Sequence, residues 1–374
     1  MLCILGDLHL APDQMHLFEA ARAQLVAAVA GLSGGADTGA RVVQLGDLGH
    51  SKHVPGSREC FQTARGYLDG FGIPSAFILG NHDLEGTAFD NDAENLTAWQ
   101  DEMGQHHHWV ADLGRAVAIG MSTTRFRSNT TSHHEVYVDD AQVAWFERQL
   151  EAFSGRPIIV FTHAPPMGCG LRVLQGIHVK NRCAWLNHTD RPERFINLRD
   201  RHPDVRMWFS GHFHLSHNYL DSITVVGTTA FVQTGVIGDC NRDGQRQSRL
   251  LRGGKEGFQL YTMDHGSGNL RLDLEHRWDD SSSPTPLPIA EELLCDPSGG
   301  WLCSTNISRL REDAPSSSWF PVGPSVILAH QSGLLLEYDI ATAAPVGVVC
   351  PAPPWVNHHA AGPRRQTVSF GGRI

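Results

Sequence analysis

Five short apolar runs in this 374-residue chain each lead into residues that bind divalent cations. Met1-Leu2-Cys3-Ile4-Leu5 precedes Gly6-Asp7-Leu8-His9, Val42-Val43-Gln44-Leu45 precedes Gly46-Asp47, and Ala76-Phe77-Ile78-Leu79 precedes Gly80-Asn81-His82-Asp83. Ile158 to Thr162 leads into His163, and Met207 to Ser210 into Gly211-His212-Phe213-His214. Carboxylate, amide and imidazole donors together suit Mn, Fe or Zn better than Ca, and no thiolate is among them. Two such ions about 3.5–4 Å apart supply a nucleophile at neutral pH and neutralise phosphoryl oxygens. The pattern is that of a two-metal hydrolase site.

The elements that must position these residues can be read from the same runs. Short stretches rich in Val, Ile and Phe are expected to be buried strands. Ligands at the carboxyl ends of such strands meet in one crevice, the place where open α/β sheets bind their ligands. Helical spacing of Phe18, Ala21, Leu25, Val26 and Val29 predicts a helix over 13–30, and a second is expected over 57–71. Asp139-Asp140 offers an N-cap for a helix reaching Leu150, and Pro192 opens a short helix to Asp200. The block 85–129 shows no clear period. Later strand-like stretches at 223–226, 229–236, 257–263 and 270–278 are read as the second sheet of a two-sheet sandwich with helices outside.

The order D-x-H, GD, GNHD, H, G-H-x-H resembles the calcineurin-like metallophosphoesterase superfamily over roughly residues 1–265. This resemblance implies an α/β, four-layer αββα fold and two divalent metal ions. It implies Asp47 as the carboxylate shared between them, Asp7, His9 and His214 on the first ion, and Asn81, His163 and His212 on the second. His82 would face the leaving-group oxygen as proton donor or charge stabiliser, with Asp83 as its orienting partner or as a capping group. The implied reaction is attack of a metal-bridging hydroxide on the phosphorus of a small-molecule phosphodiester or phosphomonoester. Asp-Leu-His-Leu and GNHD are closer to the cyclic-nucleotide and glycerophosphodiester branch than to the protein phosphatases, because Gly46-Asp47-Leu48-Gly49-His50 lacks the arginine of the latter. A nuclease of the same superfamily and a non-catalytic scaffold are the competing readings.

Composition narrows the field. A formal charge of -10 argues against a nucleic-acid partner, which calls for a basic face. No run of about 18 apolar residues predicts a membrane span. The first strand starts at Met1 with no basic n-region before it, so a cytoplasmic location is expected. The eight cysteines are scattered with no C-x-x-C pair and are expected to be reduced and mostly buried.

Residues 1–280 are expected to form the catalytic domain, and the Ser/Pro-rich stretch 281–290 a linker. Residues 291–374 would be a β-rich extension, with strands near 326–328, 333–339 and 345–349 that resemble one propeller blade and are read as packing on the main domain. This extension is also where a protein partner would bind. Gln105-His106-His107-His108 is read as a loop before a strand at Trp109. Arg125, Arg127, His133, His134, His178, His16, His50 and His53 lie after motifs or in overhanging segments and are expected to be solvated loop residues, with His50 the best placed to back a ligand.

Overall fold

The first strand is apolar along its whole length because both of its faces are covered. In the computed structural model, β1 (Leu2–Leu5) points Leu2 and Ile4 into one apolar cluster and Cys3 and Leu5 into another. Alternate residues of a strand face opposite sides, so two buried faces give an unbroken apolar run. The structure describes residues 1–34, 39–49, 54–129, 136–169, 189, 191–219, 221–294 and four strands between 318 and 350.

Sheet one runs β12-β11-β10-β1-β2-β3, with β2 Arg41–Gln44, β3 Ser75–Phe77, β10 Gln247–Gly253, β11 Gly257–Asp264 and β12 Leu270–Arg277. Sheet two runs β4-β5-β6-β7-β9-β8, with β4 Trp109–Asp112, β5 Val117–Gly120, β6 Ile158–Thr162, β7 Val205–Ser210, β8 Ile223–Val226 and β9 Thr229–Gln233. Strands β1, β2 and β3 are parallel, as are β5, β6, β7 and β9.

Leu2, Ile4, Val43 and Ile78 from sheet one meet Ile159, Phe161, Met207, Phe209 and Val232 from sheet two in the central core. Outside sheet one lie α1 (Met15–Ser33), α2 (Arg58–Asp69) and α3 (Asp92–Met103), which cover Cys3, Leu5 and Val42 with Phe18, Leu25, Phe61, Leu68 and Trp99. Outside sheet two lie α4 (Asp140–Ala152) and α5 (Glu193–Arg201), which set Phe146, Leu150 and Phe195 on Val117, Val160, Trp208 and Phe231. The result is the four-layer αββα arrangement of two mixed six-stranded sheets. No helix among the described residues is long and apolar enough to cross a membrane.

Three expectations are corrected. The late strands do not form the second sheet by themselves: β8 and β9 complete sheet two, while β11 and β12 extend sheet one through β10. Strand β10 itself went unread because Arg249 interrupts its apolar pattern, yet Arg249 is fully buried against Asp273. Helix α3 was also missed. Its inward face carries Asp92 and Asn95 beside Ala98, Trp99 and Met103, so polar residues break the apolar period. Its boundary is set by Asn91, whose side chain caps the Glu94 N–H, and by Gly104 in the left-handed conformation.

The C-terminal residues include an antiparallel meander, β13 (Ser318–Val322), β14 (Ser325–Ala329), β15 (Leu335–Asp339) and β16 (Pro345–Cys350). Strands β14, β15 and β16 coincide with the three stretches read from the sequence, and β13 precedes them. His50, His53, His133, His134 and His178 fall outside the described residues.

Candidate metal centre

The turns after β1, β2 and β3 and those after β6 and β7 converge where the two sheets meet. Gly6 to His9 follow β1, Leu45 to Leu48 follow β2, Ile78 to Leu84 follow β3, His163 follows β6, and Gly211 to His214 follow β7. Hydrogen bonds join the sheets here. The His212 N–H donates to Asp7 Oδ2 at 2.7 Å, and His163 Nδ1 lies 2.7 Å from the Leu45 carbonyl.

Four of these residues occupy the left-handed backbone region: His9 (φ 42°), Asp47 (φ 55°), His212 (φ 69°) and His214 (φ 54°). Such conformations are costly for non-glycine residues and cluster at functional sites. Two glycines allow the close approach. A Cβ on Gly80 would sit 2.1 Å from Asp47 Oδ1, and one on Gly211 would sit 2.5 Å from Asp7 Oδ2. The residues after these two glycines therefore reach the carboxylates at van der Waals distance.

All seven expected ligands come together. His9 Nε2 and His214 Nε2 are 2.9 Å apart, His212 Nδ1 and His163 Nε2 are 3.1 Å apart, and His163 Nε2 is 3.2 Å from Asn81 Oδ1. Asp7 Oδ1 lies 3.3 Å from His214 Nε2, and Asp47 Oδ2 lies 3.3 Å from His163 Nε2. Those two carboxylate oxygens are buried without a hydrogen-bond partner, as is Asn81 Nδ2.

Two sets of ligand atoms result, each within 4.8 Å: Asp7, Asp47, His163 and His212, and Asp7, His9, Asp47 and His214. Ring nitrogens facing ring nitrogens and orphaned carboxylate oxygens are poor hydrogen bonding but a good nest for cations. The residues fit divalent metal. His163 and His9 support this on their far sides, because Nδ1 of each points at a backbone carbonyl, of Leu45 and Gly49. A donated Nδ1–H leaves the Nε2 lone pair facing the centre.

The electrostatics follow from this crowding. Burial alone would raise Asp7 and Asp47, but neighbouring imidazoles, chiefly His214 for Asp7 and His163 for Asp47, hold both below the usual carboxylate range. Burial works against protonating His163 and His214, yet Asp47 lifts the first to about 9 and Asp7 the second to about 10. His9 goes the other way, to about 3, through burial and the charge of His214. A bound cation would replace these protons, since imidazole ligates only when neutral.

His82 and Asp83 lie in a 3-10 turn, His82–Leu84. The His82 N–H donates to Asp47 Oδ1 at 2.9 Å. Its ring is partly exposed and stands 5.4 Å from that of His9. Burial opposes its charge, but Asp47 and Glu85 raise it to about 9.

Asp83 has a different task from orienting His82. Its carboxylate accepts the N–H groups of Asp47 (2.9 Å), Leu48 (2.8 Å) and Gly80 (2.8 Å), so it fixes the loops that carry Asp47 and Asn81. The group at His82 Nδ1 is Glu85, at 2.6 Å. Sequence reasoning missed this residue, although a period of three was available to find it. It also missed Cys240, the half-buried thiol whose Sγ lies 3.7 Å from His214 Nδ1 and which joins His9 and His214 in a third possible ligand cluster.

The other polar residues are structural or remote. Arg125 stacks on Tyr137 at 3.8 Å, and Arg127 donates to the Leu84 carbonyl at 2.9 Å and to that of Gly86. His16 is exposed on α1. The His106–His108 loop packs through His108 on Trp145, and His107 meets Gln100. Cys3, Cys60 and Cys169 are buried free thiols, as expected.

A family model described as calcineurin-like phosphoesterase matches residues 2–216, which contain all seven ligand positions. The chain belongs to the calcineurin-like phosphoesterase family. Among curated relatives, a probable cyclic nucleotide phosphodiesterase of Rhodopseudomonas palustris is 28% identical over 174 residues, covering 46% of this chain and 56% of the relative. A glycerophosphodiester phosphodiesterase of Enterobacter lignolyticus is 28% identical over 162 residues, covering 42% of this chain and 51% of the relative. The chain thus spans about half the length of the curated relatives it matches. Among solved structures, a dimetal phosphatase from Danio rerio has a TM-score of 0.51 at 10% identity, covering 77% of this chain and 98% of that one. At that identity the likeness concerns the calcineurin-like fold alone.

Proposed function

We propose that this protein is a metal-dependent phosphoesterase that hydrolyses small-molecule phosphodiesters, using two divalent ions of Mn, Fe or Zn. The observation that carries the reading is the pair of ligand sets sharing Asp7 and Asp47, with unpartnered carboxylate oxygens between them. In this reading Asp7, His9, Asp47 and His214 hold one ion, and Asp47, Asn81, His163 and His212 the other. When bound, the ions acidify water and offset the charge of the phosphoryl oxygens. The chain's own residues do the rest. Asp83 holds the Asp47 and Gly80 loops in register, His163 and His9 are locked in tautomer by backbone carbonyls, and His82 faces the leaving group. A phosphodiester is preferred to a monoester because the loop after Asp47 reads Leu48-Gly49-His50 with no arginine to grip a second phosphoryl charge. The descriptions of both curated relatives agree with that choice.

The test is hydrolysis of bis-p-nitrophenyl phosphate beside p-nitrophenyl phosphate by chelator-stripped protein to which Mn is returned. Turnover that needs metal, favours the diester and disappears in Asp47→Ala is expected. Full activity without metal would overturn the reading, as would two bound ions per chain with no cleavage of any ester in a broad phosphodiester panel.

A further inference from the structure

We infer that Glu85 is the positioning residue of His82: its carboxylate accepts Nδ1–H, fixes the ring's tautomer and orientation, and commits Nε2 to the leaving group. This rests on the phosphoesterase reading for its chemistry and on geometry alone for the pairing.

The pairing is built into the local backbone. A 3-10 turn has three residues per turn, so side chains at i and i+3 eclipse. His82–Leu84 is such a turn, and the Glu85 N–H closes it on the His82 carbonyl at 3.3 Å. Glu85 Oε1 thereby lies 2.6 Å from His82 Nδ1. Both side chains are partly exposed, 28% for His82 and 21% for Glu85, as expected of groups at the mouth of a site.

The turn does not depend on this pair for its shape. Asn95 accepts the Gly86 N–H at 2.8 Å and donates to the Asp83 carbonyl at 3.3 Å. Arg127 donates to the Leu84 carbonyl at 2.9 Å, and Asp83 is itself tied to Asp47, Leu48 and Gly80. Removing the Glu85 carboxylate therefore takes away the acceptor at Nδ1 while leaving the backbone in place.

The proton balance is simple. The attacking water oxygen bonds to phosphorus as the bond from phosphorus to the leaving oxygen breaks. The leaving oxygen takes the proton from His82 Nε2, the ring keeps Nδ1–H on Glu85, and the proton lost by water returns to His82 through solvent. A carboxylate behind an imidazole holds the ring's orientation while its far nitrogen donates. Partners of this kind are worth about 10–100-fold when removed.

The experiment uses full-length protein with 15N-labelled histidine. His82 is assigned by its loss in His82→Ala, and its tautomer is read from ring nitrogen shifts at the alkaline end of a pH series, where the ring is neutral. The wild type is expected to show a protonated, strongly hydrogen-bonded Nδ1, and Glu85→Ala a mixed tautomer, with bound metal unchanged. In parallel, kcat is measured on a p-nitrophenyl diester, whose leaving group needs no proton, and on a dialkyl diester, whose leaving group does. Glu85→Ala should slow the dialkyl ester about 10–100-fold and the nitrophenyl ester by less than about threefold. Glu85→Gln should recover part of the loss, and Glu85→Ala should add nothing in the His82→Ala background.

An unprotonated Nδ1 in the wild type, or a tautomer indifferent to Glu85→Ala, would overturn the inference. So would equal slowing of both esters. If the tautomer behaves as expected while the wild type cleaves neither ester, it is the phosphoesterase reading that fails and the positioning role that stands.

Discussion

Two clusters of buried polar side chains lie close together in this molecule and solve burial in opposite ways. In the crevice at the strand ends, Asp7 Oδ1 and Asp47 Oδ2 have no hydrogen-bond donor, and imidazole nitrogens face one another at 2.9 and 3.1 Å. Behind it, Arg249, Asp273, Thr262 and His217 pair donor with acceptor, and Arg249 Nη2 is the one guanidinium nitrogen there without a partner. The His217 ring accepts the Gly235 N–H at 2.7 Å and meets Thr262 Oγ1 at 2.9 Å. The Thr262 hydroxyl donates to Asp273 at 2.5 Å, and Arg249 closes the set by donating to Asp273 and to the Gln233 carbonyl at 2.9 Å.

Burial and the charge of Arg249 keep His217 well below its ordinary value, as a neutral ring that accepts at Nε2 must be. Gln233 extends the cluster forward by donating to the Leu215 and Ser216 carbonyls at 2.6 and 2.8 Å, next to His214. The same residue types thus serve ligation in one place and scaffolding in the other. What separates them is whether donors face acceptors.

That contrast can be broken at either end. The largest effect is expected for Asp47→Ala, which removes one of the two carboxylates common to both ligand sets. Metal content by mass spectrometry under native conditions should fall, with turnover down at least roughly 1,000-fold. Asp273→Ala attacks the other cluster. Leaving Arg249 buried without its partner should cost about 3–5 kcal/mol in urea unfolding, with any activity loss following from unfolded protein. A smaller effect is expected for Gly80→Ala, whose methyl would meet the Asp47 carboxylate. Overpacking of this kind costs about 1–3 kcal/mol, and here it should also weaken metal binding.

A further effect is a slope with pH and needs no loss of metal. Burial and Arg246 lower His265 from 6.5 to about 3, while Ser248 and Gln24 hold its two nitrogens at 2.9 and 2.8 Å. The unfolded chain takes up this proton as pH falls below 6.5, and the folded chain does not until about 3. Stability is therefore full above pH 6.5 and declines as pH falls toward 3, by up to about 1.4 kcal/mol per pH unit from this residue. His265→Gln should flatten that slope in unfolding measured between pH 7 and 4.

The crevice was legible in the sequence for a local reason. A strand buried on both faces is an unbroken apolar run, and its end is marked by the first glycine or polar residue, so the ligands stand at visible positions. The four-layer αββα arrangement was what the family resemblance implied. Which sheet each late strand joins was not legible, because pairing of β10 with β1 is set by contacts between distant segments such as Leu2 with Leu251. Strand β10 and helix α3 were hidden by buried polar residues, Arg249 in one and Asp92 and Asn95 in the other, whose partners lie far along the chain. Of the two roles open to Asp83 in the sequence, the hydrogen bonds to Asp47, Leu48 and Gly80 match a backbone-holding one, and the group beside His82 Nδ1 is Glu85. In a 3-10 turn the side chain three residues on is the one that stands alongside.

Because the crevice draws from both sheets, its oldest and youngest parts during synthesis are far apart. His9 and His214 meet across 205 residues of chain. At about 5–20 residues per second, translation needs roughly 10–40 s to supply the second after the first. For that interval Asp7 and Asp47 have neither their imidazoles nor their burial. An ion can be captured by the complete set only once β7 has taken its place beside β6, so loading belongs to the finished fold and not to the emerging one.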